Sequence, residues 1–342
     1  MTQSIPKPRI EYIDIAKGLL IICLLFGHER VYGPMDGVDD KFMFIMAYPC
    51  VIYSAFFMQA FFIITGFCSS FKVDFKTFLW KNIKTLLLPS ILLFIFSEYY
   101  KLCIFEHTLS TLPFSKLALW ITTGAPWFIM AMFLGKLLYW PICRLQKKWQ
   151  IVILAVLYLI GLLAHKYSSY PNYLWYQHTL LLTPYLLVGN QLKVNRLLEG
   201  DIFLKYAAGF FVVSISVQVL LSKCGGYIIP SQDNSICVTL LNFPIHIVNS
   251  VSGTALTLWV SKRIAHSGFL STLGKGTLLI YLWNGIVYRS IIRLLMPLYN
   301  AYNFFACTIF HVVCLVAMYV AFYYIVRIVY EHKSINWIVG KW

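Results

Sequence analysis

Residues 9–30 read RIEYIDIAKGLLIICLLFGHER and set ionisable side chains into a long apolar run. Asp14 and Lys17 come near its start, and His28 comes near its end. An α-helix advances about 100° per residue, so these three side chains fall within roughly 60° of one another. Asp14 and Lys17 are three residues apart and can pair, whereas His28 lies about 16 Å further along the same stripe. Ionisable groups at membrane depth cost about 2.5–3.5 kcal/mol each, so they are kept where they pair or line a cavity.

The composition of the whole chain is that of a membrane protein. Of its 342 residues, 60% are hydrophobic, 17% are aromatic and only 12% are charged, with a mean hydropathy of +0.73. Soluble domains carry about 25% charged residues. No hydrophilic block is long enough to fold by itself, so we predict a single transmembrane domain over residues 1–342. The first apolar run is not followed by a small-residue cleavage site, and we expect no cleaved signal peptide.

Ten apolar segments are long enough to cross a membrane as helices. They span residues 12–30, 43–68, 85–105, 124–143, 150–166, 174–192, 202–222, 236–261, 272–295 and 303–330. With the N-terminus in the cytoplasm, 18 Lys and Arg fall in inside segments and 8 in outside segments, which satisfies the positive-inside rule. The sequence therefore predicts an all-α integral membrane protein, a bundle of about ten transmembrane helices with cytoplasmic N- and C-termini.

The formal net charge of +15 could suggest a nucleic-acid partner. The Lys and Arg residues lie in short loops between apolar segments rather than in one stripe, so membrane topology accounts for them and we expect no nucleic-acid binding. Nine Cys are scattered without zinc spacing, and no cluster of His, Asp and Glu has metal-ligand spacing, so we predict no metal site. The sequence contains neither a Gly-rich phosphate loop nor a G-x-S-x-G motif.

Five motifs occur in order along the chain. They are DIAKG at 14–18 with an apolar run into GH at 27–28, FFIITGF at 61–67, KNIKTLLLP at 81–89, PWFI at 126–129 and LGKGTLLIYLWN at 273–284. The series resembles acyltransferase family 3, and within it the fucose 4-O-acetylase-like branch. Lys17 and His28 fit the family's spacing of a basic residue, ten intervening residues and a histidine. The sequence departs from the family at Asn284, where many members have His, and at Lys81 and Lys84, where Arg is usual.

The resemblance implies transfer of an acyl group, usually acetyl, from acyl-coenzyme A to a sugar hydroxyl. It implies His28 as the general base or as a transient acyl carrier, because histidine titrates near working pH. Glu29 would orient His28 or titrate with it. Lys17 and Asp14 would flank the path of the donor or hold the first helix in place.

Further site residues follow from the same resemblance and from the charge pattern. The donor's phosphates would meet Lys81, Lys84 and Arg144 on the cytoplasmic side. The acceptor would meet Trp127, Asn284, Arg289 and Arg293. The expected partners are acetyl-coenzyme A as donor, a glycan or lipid-linked sugar as acceptor, and membrane lipids, and a homodimer is compatible with the sequence. The expected location is the cell inner membrane, with multiple passes.

Structural alternatives remain open for these residues. Asp14, Lys17 and His28 could be an interfacial pair and a helix-end cap, and the cytoplasmic basic residues could be ordinary topology anchors. Lipid headgroups are an equally good partner for the two outer arginines. A polar stripe in the eighth segment could line the same cavity or hydrogen bond between helices. The stripe consists of Asn242, His246, Asn249 and Gly253, with Pro244 between them.

Two other functions compete with an acyltransferase. A transporter or flippase for a lipid-linked or anionic solute would use Asp14, Lys17 and His28 as a proton relay. A non-catalytic membrane scaffold would leave this buried polar stripe without a purpose.

Overall fold

The computed structural model describes residues 10–32, 52–101, 103, 126–167, 176–223, 236–299 and 303–339. Throughout these ranges the regular structure is helical, and they contain no strand. The helices are α1 (Glu11–Tyr32), α2 (Phe57–Cys68), α3 (Phe75–Asn82), α4 (Leu88–Lys101), α5 (Trp127–Ile142), α6 (Lys147–Tyr167), α7 (Tyr176–Val194), α8 (Asp201–Lys223), α9 (Ile236–Ile264), α10 (Gly268–Lys275), α11 (Thr277–Leu295) and α12 (Phe304–Glu331). A π-helical turn, Ile83–Leu87, joins α3 to α4 without a break.

Four stretches are long and apolar enough to cross a membrane. They are Phe75–Tyr100, Lys147–Ala164, Thr277–Leu298 and Phe304–Glu331. Shorter apolar helices cover Ile52–Cys68, Trp127–Ile142 and Leu204–Gln218. These helices confirm an all-α membrane protein, whereas the count of ten spans, the cytoplasmic termini and the single domain stay predictions.

Helix α1 lies at the centre of the described bundle and contacts α2, α9, α10, α11 and α12. Its apolar side chains are buried on several faces, including Ile15, Ala16, Leu20 and Ile21. A helix that is apolar around most of its circumference belongs in an interior. By contrast, α6, α8 and α12 carry rows of exposed Val, Ile and Leu side chains, as expected of helices that face lipid. Helix α1, which carries the first of the five motifs, is therefore an inner helix, and its neighbours separate it from the bilayer.

Two glycines allow α1 and α10 to cross at close range. A side chain at Gly18 would overlap the carbonyl of Leu270, and one at Gly274 would overlap the carbonyl of Asp14. Small residues at a crossing let helix backbones approach in this way. The crossing fixes the position of Asp14 and Lys17.

The third predicted span, 85–105, begins ten residues too late. Helix α3 begins at Phe75 because Asp74 caps it, with Asp74 Oδ2 accepting the Thr77 N–H at 2.8 Å. These hydrogen bonds hold the pKa of Asp74 below its usual range. Lys81 and Lys84 therefore lie within continuous helix, on either side of the junction into the π turn, rather than in a loop before it.

The ninth predicted span, 272–295, is interrupted. Its first residues belong to α10, and Gly276 separates α10 from α11. The Gly276 N–H donates to the carbonyls of Thr272 and Leu273 at 3.1 Å, which closes the last turn of α10. A side chain at Gly276 would overlap Val326 of α12, so the break also serves close packing. The break places Lys275 at a bend rather than along a continuous helix.

Candidate functional site

The deep histidine of α1 is hydrogen bonded to Asn284 of α11. The Nδ1 atom of His28 lies 2.5 Å from Oδ1 of Asn284. Asn284 is only 3% exposed, and its Nδ2 donates to the carbonyl of Tyr281 at 2.6 Å. The position at which the sequence departs from its relatives therefore contacts the histidine to which the catalytic role was assigned.

The predicted pair in the first turns of α1 is present. The Nζ atom of Lys17 lies 3.9 Å from Oδ1 of Asp14. Asp14 is 2% exposed, because its turn of α1 packs against α10. A carboxylate buried to this degree against a neighbouring helix is shielded from solvent, and its depth in the membrane stays a prediction. Glu29 lies in α1, and its side chain falls outside the described part of the structure.

A cavity of about 280 Å³ lies among α1, α2, α5, the π turn and the α10–α11 break. Three lysines line it, each from a different element: Lys17, Lys136 and Lys275. The hydroxyl-bearing residues of its wall are Thr65, Thr85, Thr277 and Tyr281. Among the described residues that line it there is no Asp or Glu. The cavity is therefore electropositive and suited to an anion.

Tyr281 links the cavity to the hydrogen bond that Asn284 makes with His28. Tyr281 lines the cavity, and its backbone carbonyl accepts the hydrogen bond from Asn284. The Tyr281 ring also packs on Phe128, another lining residue, with centroids 5.2 Å apart. One turn of α11 thus connects the lysine-lined cavity to His28.

Sequence reasoning missed two of the three cavity lysines, Lys275 and, in the middle of an apolar helix, Lys136. The Lys136 ammonium lies 5.9 Å from the centroid of the Phe78 ring and close enough to Lys81 for mutual repulsion. In the described ranges no carboxylate lies within 4.0 Å of it. An ammonium without a counter-ion is costly to bury, so Lys136 is a candidate for binding an anionic ligand in the cavity. The available signal was a lone Lys inside an otherwise apolar helix.

The three residues assigned to the donor do not line the cavity. Lys81 is exposed on α3, and the ammonium of Lys84 lies 5.1 Å from the centroid of the Trp80 ring. Their segment still reaches the cavity, through Thr85 and Leu86 of the π turn.

Arg144 is occupied by structural contacts at the end of α5. Its guanidinium stacks 3.4 Å from the centroid of the Trp140 ring and donates to the carbonyls of Trp140 at 2.5 Å and Val73 at 2.9 Å. These bonds tie α5 to the segment before α3. These contacts hold Arg144 outside the cavity lining, so its assignment to the donor stays a prediction.

The residues assigned to the acceptor are spread over two elements. Trp127 begins α5 and packs on Phe128 and on His178, with ring centroids 5.8 and 4.7 Å apart. Arg289 and Arg293 are both exposed, one turn apart near the end of α11. Asn284 contacts His28 directly, through its side-chain oxygen.

The polar stripe of α9 belongs to helix packing. His246 Nε2 lies 3.2 Å from Gln59 Nε2, and its Nδ1 lies 3.4 Å from the hydroxyl of Tyr185. Asn249 donates to Gln218 of α8. Gly253 accommodates the ring of Phe56, and the side chain of Asn242 falls outside the described part. The contacts favour hydrogen bonding between helices over a role in lining the cavity.

Apolar helices with a half-buried histidine and a lysine-lined cavity define a membrane protein with an internal cavity suited to an anion. The chain belongs to acyltransferase family 3, because the family model described as an acyltransferase domain matches residues 10–327. It is therefore a membrane acyltransferase, and the fucose 4-O-acetylase-like branch stays a prediction. Comparison with curated proteins and with solved structures gives no match.

Proposed function

We propose that the protein transfers an acetyl group from acetyl-coenzyme A to a hydroxyl of a cell-surface or lipid-linked glycan in the cell inner membrane. The observation that carries the proposal is the connection of His28, through Asn284 and Tyr281, to the wall of a cavity lined by three lysines. Membership of the acyltransferase family supplies the reaction class. A transporter or flippase is not favoured, because the family match covers α1 and the site within it.

The reaction needs a base for the acceptor hydroxyl. As general base, Nε2 of His28 takes the hydroxyl proton while the hydroxyl oxygen attacks the thioester carbonyl carbon. The carbon–sulfur bond then breaks, and the thiolate leaves with the proton returned by the imidazolium. As acyl carrier, the same nitrogen attacks the thioester carbonyl carbon, and the carbon–sulfur bond breaks to release the thiolate. The acceptor hydroxyl then attacks the acyl carbon, the carbon–nitrogen bond breaks, and the hydroxyl proton goes to the thiolate. Both routes require the imidazole at the meeting point of donor and acceptor.

The donor side of the proposal rests on the cavity. Coenzyme A carries several phosphates, which bind ammonium groups through charge-assisted hydrogen bonds. Lys17, Lys136 and Lys275 offer three such groups with no acidic residue among the described wall residues. We therefore assign the donor's phosphates to these lysines in place of Arg144, while Lys81 and Lys84 attract the donor towards the mouth. His28 lies about 16 Å further along α1 than Lys17, so the acyl end would extend towards it.

The acceptor side rests on α11 beyond Asn284. Arg289 and Arg293 extend the same helix from the histidine contact towards an exposed surface. Guanidinium groups bind phosphate through paired hydrogen bonds, which suits a lipid-linked sugar phosphate held among membrane lipids. Trp127 remains a proposed stacking surface for the sugar ring.

Mass spectrometry of surface and lipid-linked glycans tests the proposal. Glycans of cells that produce the protein should carry an acetyl ester that is missing from cells without it. Each ester adds C2H2O, a mass increase of about 42 Da. Cells that produce the His28→Gln variant at the same level should lack the ester as well. Identical glycan spectra from all three would contradict an O-acetylation function.

A further inference from the structure

We infer that Asn284 is a positioning residue that holds His28 as the Nδ1–H tautomer, so that the reactive lone pair lies on Nε2. The inference deepens the proposed function and rests on it, because it concerns the same histidine. It assigns a role in the reaction to Asn284, the position where many members of the family have His. It also changes the substrate-binding role that sequence reasoning assigned to Asn284.

The orientation of the Asn284 amide follows from its second partner. A backbone carbonyl can only accept a hydrogen bond, so the amide atom 2.6 Å from the Tyr281 carbonyl is the nitrogen, Nδ2. The other amide atom, Oδ1, then faces His28 at 2.5 Å. An oxygen acceptor requires a proton on the nitrogen opposite it. In a neutral imidazole this places the proton on Nδ1 and the lone pair on Nε2.

Three features make Asn284 a firm support for the ring. Its side chain is almost fully buried, so water does not compete for Oδ1. Its amide is anchored within its own helix by the Tyr281 carbonyl. Helix α11 packs directly on α1, and α10 crosses α1 closely at Gly18, nearer the start of α1. A histidine whose second nitrogen is held in this way presents one defined nitrogen to the substrate.

The Asn284 amide can orient the His28 ring without changing the charge beside it. An amide oxygen fixes the tautomer without placing a negative charge beside the imidazole. A carboxylate at the same position would also accept from Nδ1–H but would add that charge. Asn284→Asp therefore keeps the acceptor, while Asn284→Leu removes it with little change in side-chain volume. Ser290→Ala is a matched control, since Ser290 lies on the same helix as Asn284 and its hydroxyl lies 3.4 Å from the Tyr100 hydroxyl of α4.

The direct test is nitrogen-15 NMR of purified protein with labelled histidine. The chain has eight histidines, and the His28 signals are assigned by their loss in His28→Gln. We expect wild-type protein and Ser290→Ala to show a protonated Nδ1 and a pyridine-like Nε2 at His28. Asn284→Leu should show a mixture of tautomers, and Asn284→Asp should restore the wild-type pattern or show a doubly protonated ring.

Turnover measurements complete the test. Asn284→Leu should lower kcat by roughly 10- to 100-fold, a part of the 10²- to 10⁴-fold that a general base supplies, with the KM for acetyl-coenzyme A little changed. Asn284→Asp should recover part of kcat, which a merely structural hydrogen bond between helices would not predict. If Asn284→Leu does not accumulate, Asn284→Ser provides the same comparison, because its hydroxyl is too short to reach Nδ1.

Two results would overturn the inference. One is an Asn284→Leu or Asn284→Ser protein whose His28 retains the wild-type nitrogen-15 pattern. The other is wild-type kcat in either variant. Failure of the proposed function is a separate outcome, seen as transfer that persists in His28→Gln. The nitrogen-15 pattern does not depend on turnover, so it decides the tautomer in that case too.

Discussion

Replacing Lys136 by Met is the most informative change in the donor cavity. Methionine has a similar length and no charge, so the substitution removes the ammonium and leaves most of the packing. A hydrogen bond to a charged group contributes about 1.5–3 kcal/mol, and 1.4 kcal/mol is a factor of ten in affinity. If Lys136 binds a phosphate of the donor, Lys136→Met should weaken acetyl-coenzyme A binding by about 10- to 150-fold.

The same substitution should not lower the stability of the free protein, although it weakens donor binding. The Lys136 ammonium lies near apolar rings and near Lys81, and no carboxylate in the described ranges pairs with it. Removing a charge without a counter-ion relieves its desolvation cost, so the melting temperature without donor should rise or stay the same. A residue kept for folding alone would show a lower melting temperature instead. The combination of weaker binding and unreduced stability identifies a ligand-binding lysine.

The assay is thermal unfolding of purified protein across a series of acetyl-coenzyme A concentrations. A ligand at 100 times its Kd stabilises the folded state by about 2.7 kcal/mol, so the shift is measurable and its midpoint gives the affinity. Lys84→Met is the comparison variant: its ammonium lies over Trp80 and outside the cavity lining, so the substitution should weaken donor binding less than Lys136→Met does. A Lys136→Met protein that binds the donor as wild type does, while Lys84→Met binds it more weakly, would refute the assignment.

Three further substitutions separate structural residues from the site. Arg144→Gln should lower the melting temperature through loss of the Trp140 and Val73 contacts but leave the KM for acetyl-coenzyme A unchanged, and a raised KM would return Arg144 to the donor site. Gly274→Val should prevent stable folding, measured as loss of monodisperse protein, because its side chain would overlap α1. His246→Ala should lower the free energy of unfolding by about 1–3 kcal/mol, because Gln59 and Tyr185 lose their hydrogen-bond partner, and kcat per folded molecule should not change. A selective loss of kcat would place His246 in the site.

The sequence predicts the inner helix and its polar stripe well. The pairing of Asp14 with Lys17 follows from a spacing of three residues, which helix geometry fixes locally. The close approach at Gly18 follows from the small residue in an apolar run. Family membership was also predictable, because the motifs keep their order over most of the chain.

Contacts between distant segments are where sequence reasoning falls short. His28 and Asn284 are 256 residues apart, and no local pattern shows that one helix presents its amide to the other. The resemblance directed attention to Asn284 but could not show which of its atoms faces the histidine. Lys136 was missed because a single Lys in an apolar helix looks the same whether it faces lipid headgroups or a cavity. Hydropathy averaged over a helix-length window also does not locate the break at Gly276, since Leu273 before it and Leu278 after it keep the window apolar.

Incorporation of the acetyl group from radiolabelled acetyl-coenzyme A into membranes of the producing cells tests the central claim most directly. Wild-type protein and His28→Gln are compared at equal amounts of folded protein, with Ser290→Ala as the control. Removal of a general base or acyl carrier should reduce the rate by about 10²- to 10⁴-fold, while the control keeps the wild-type rate. Incorporation by His28→Gln at a rate close to that of wild type would contradict the account.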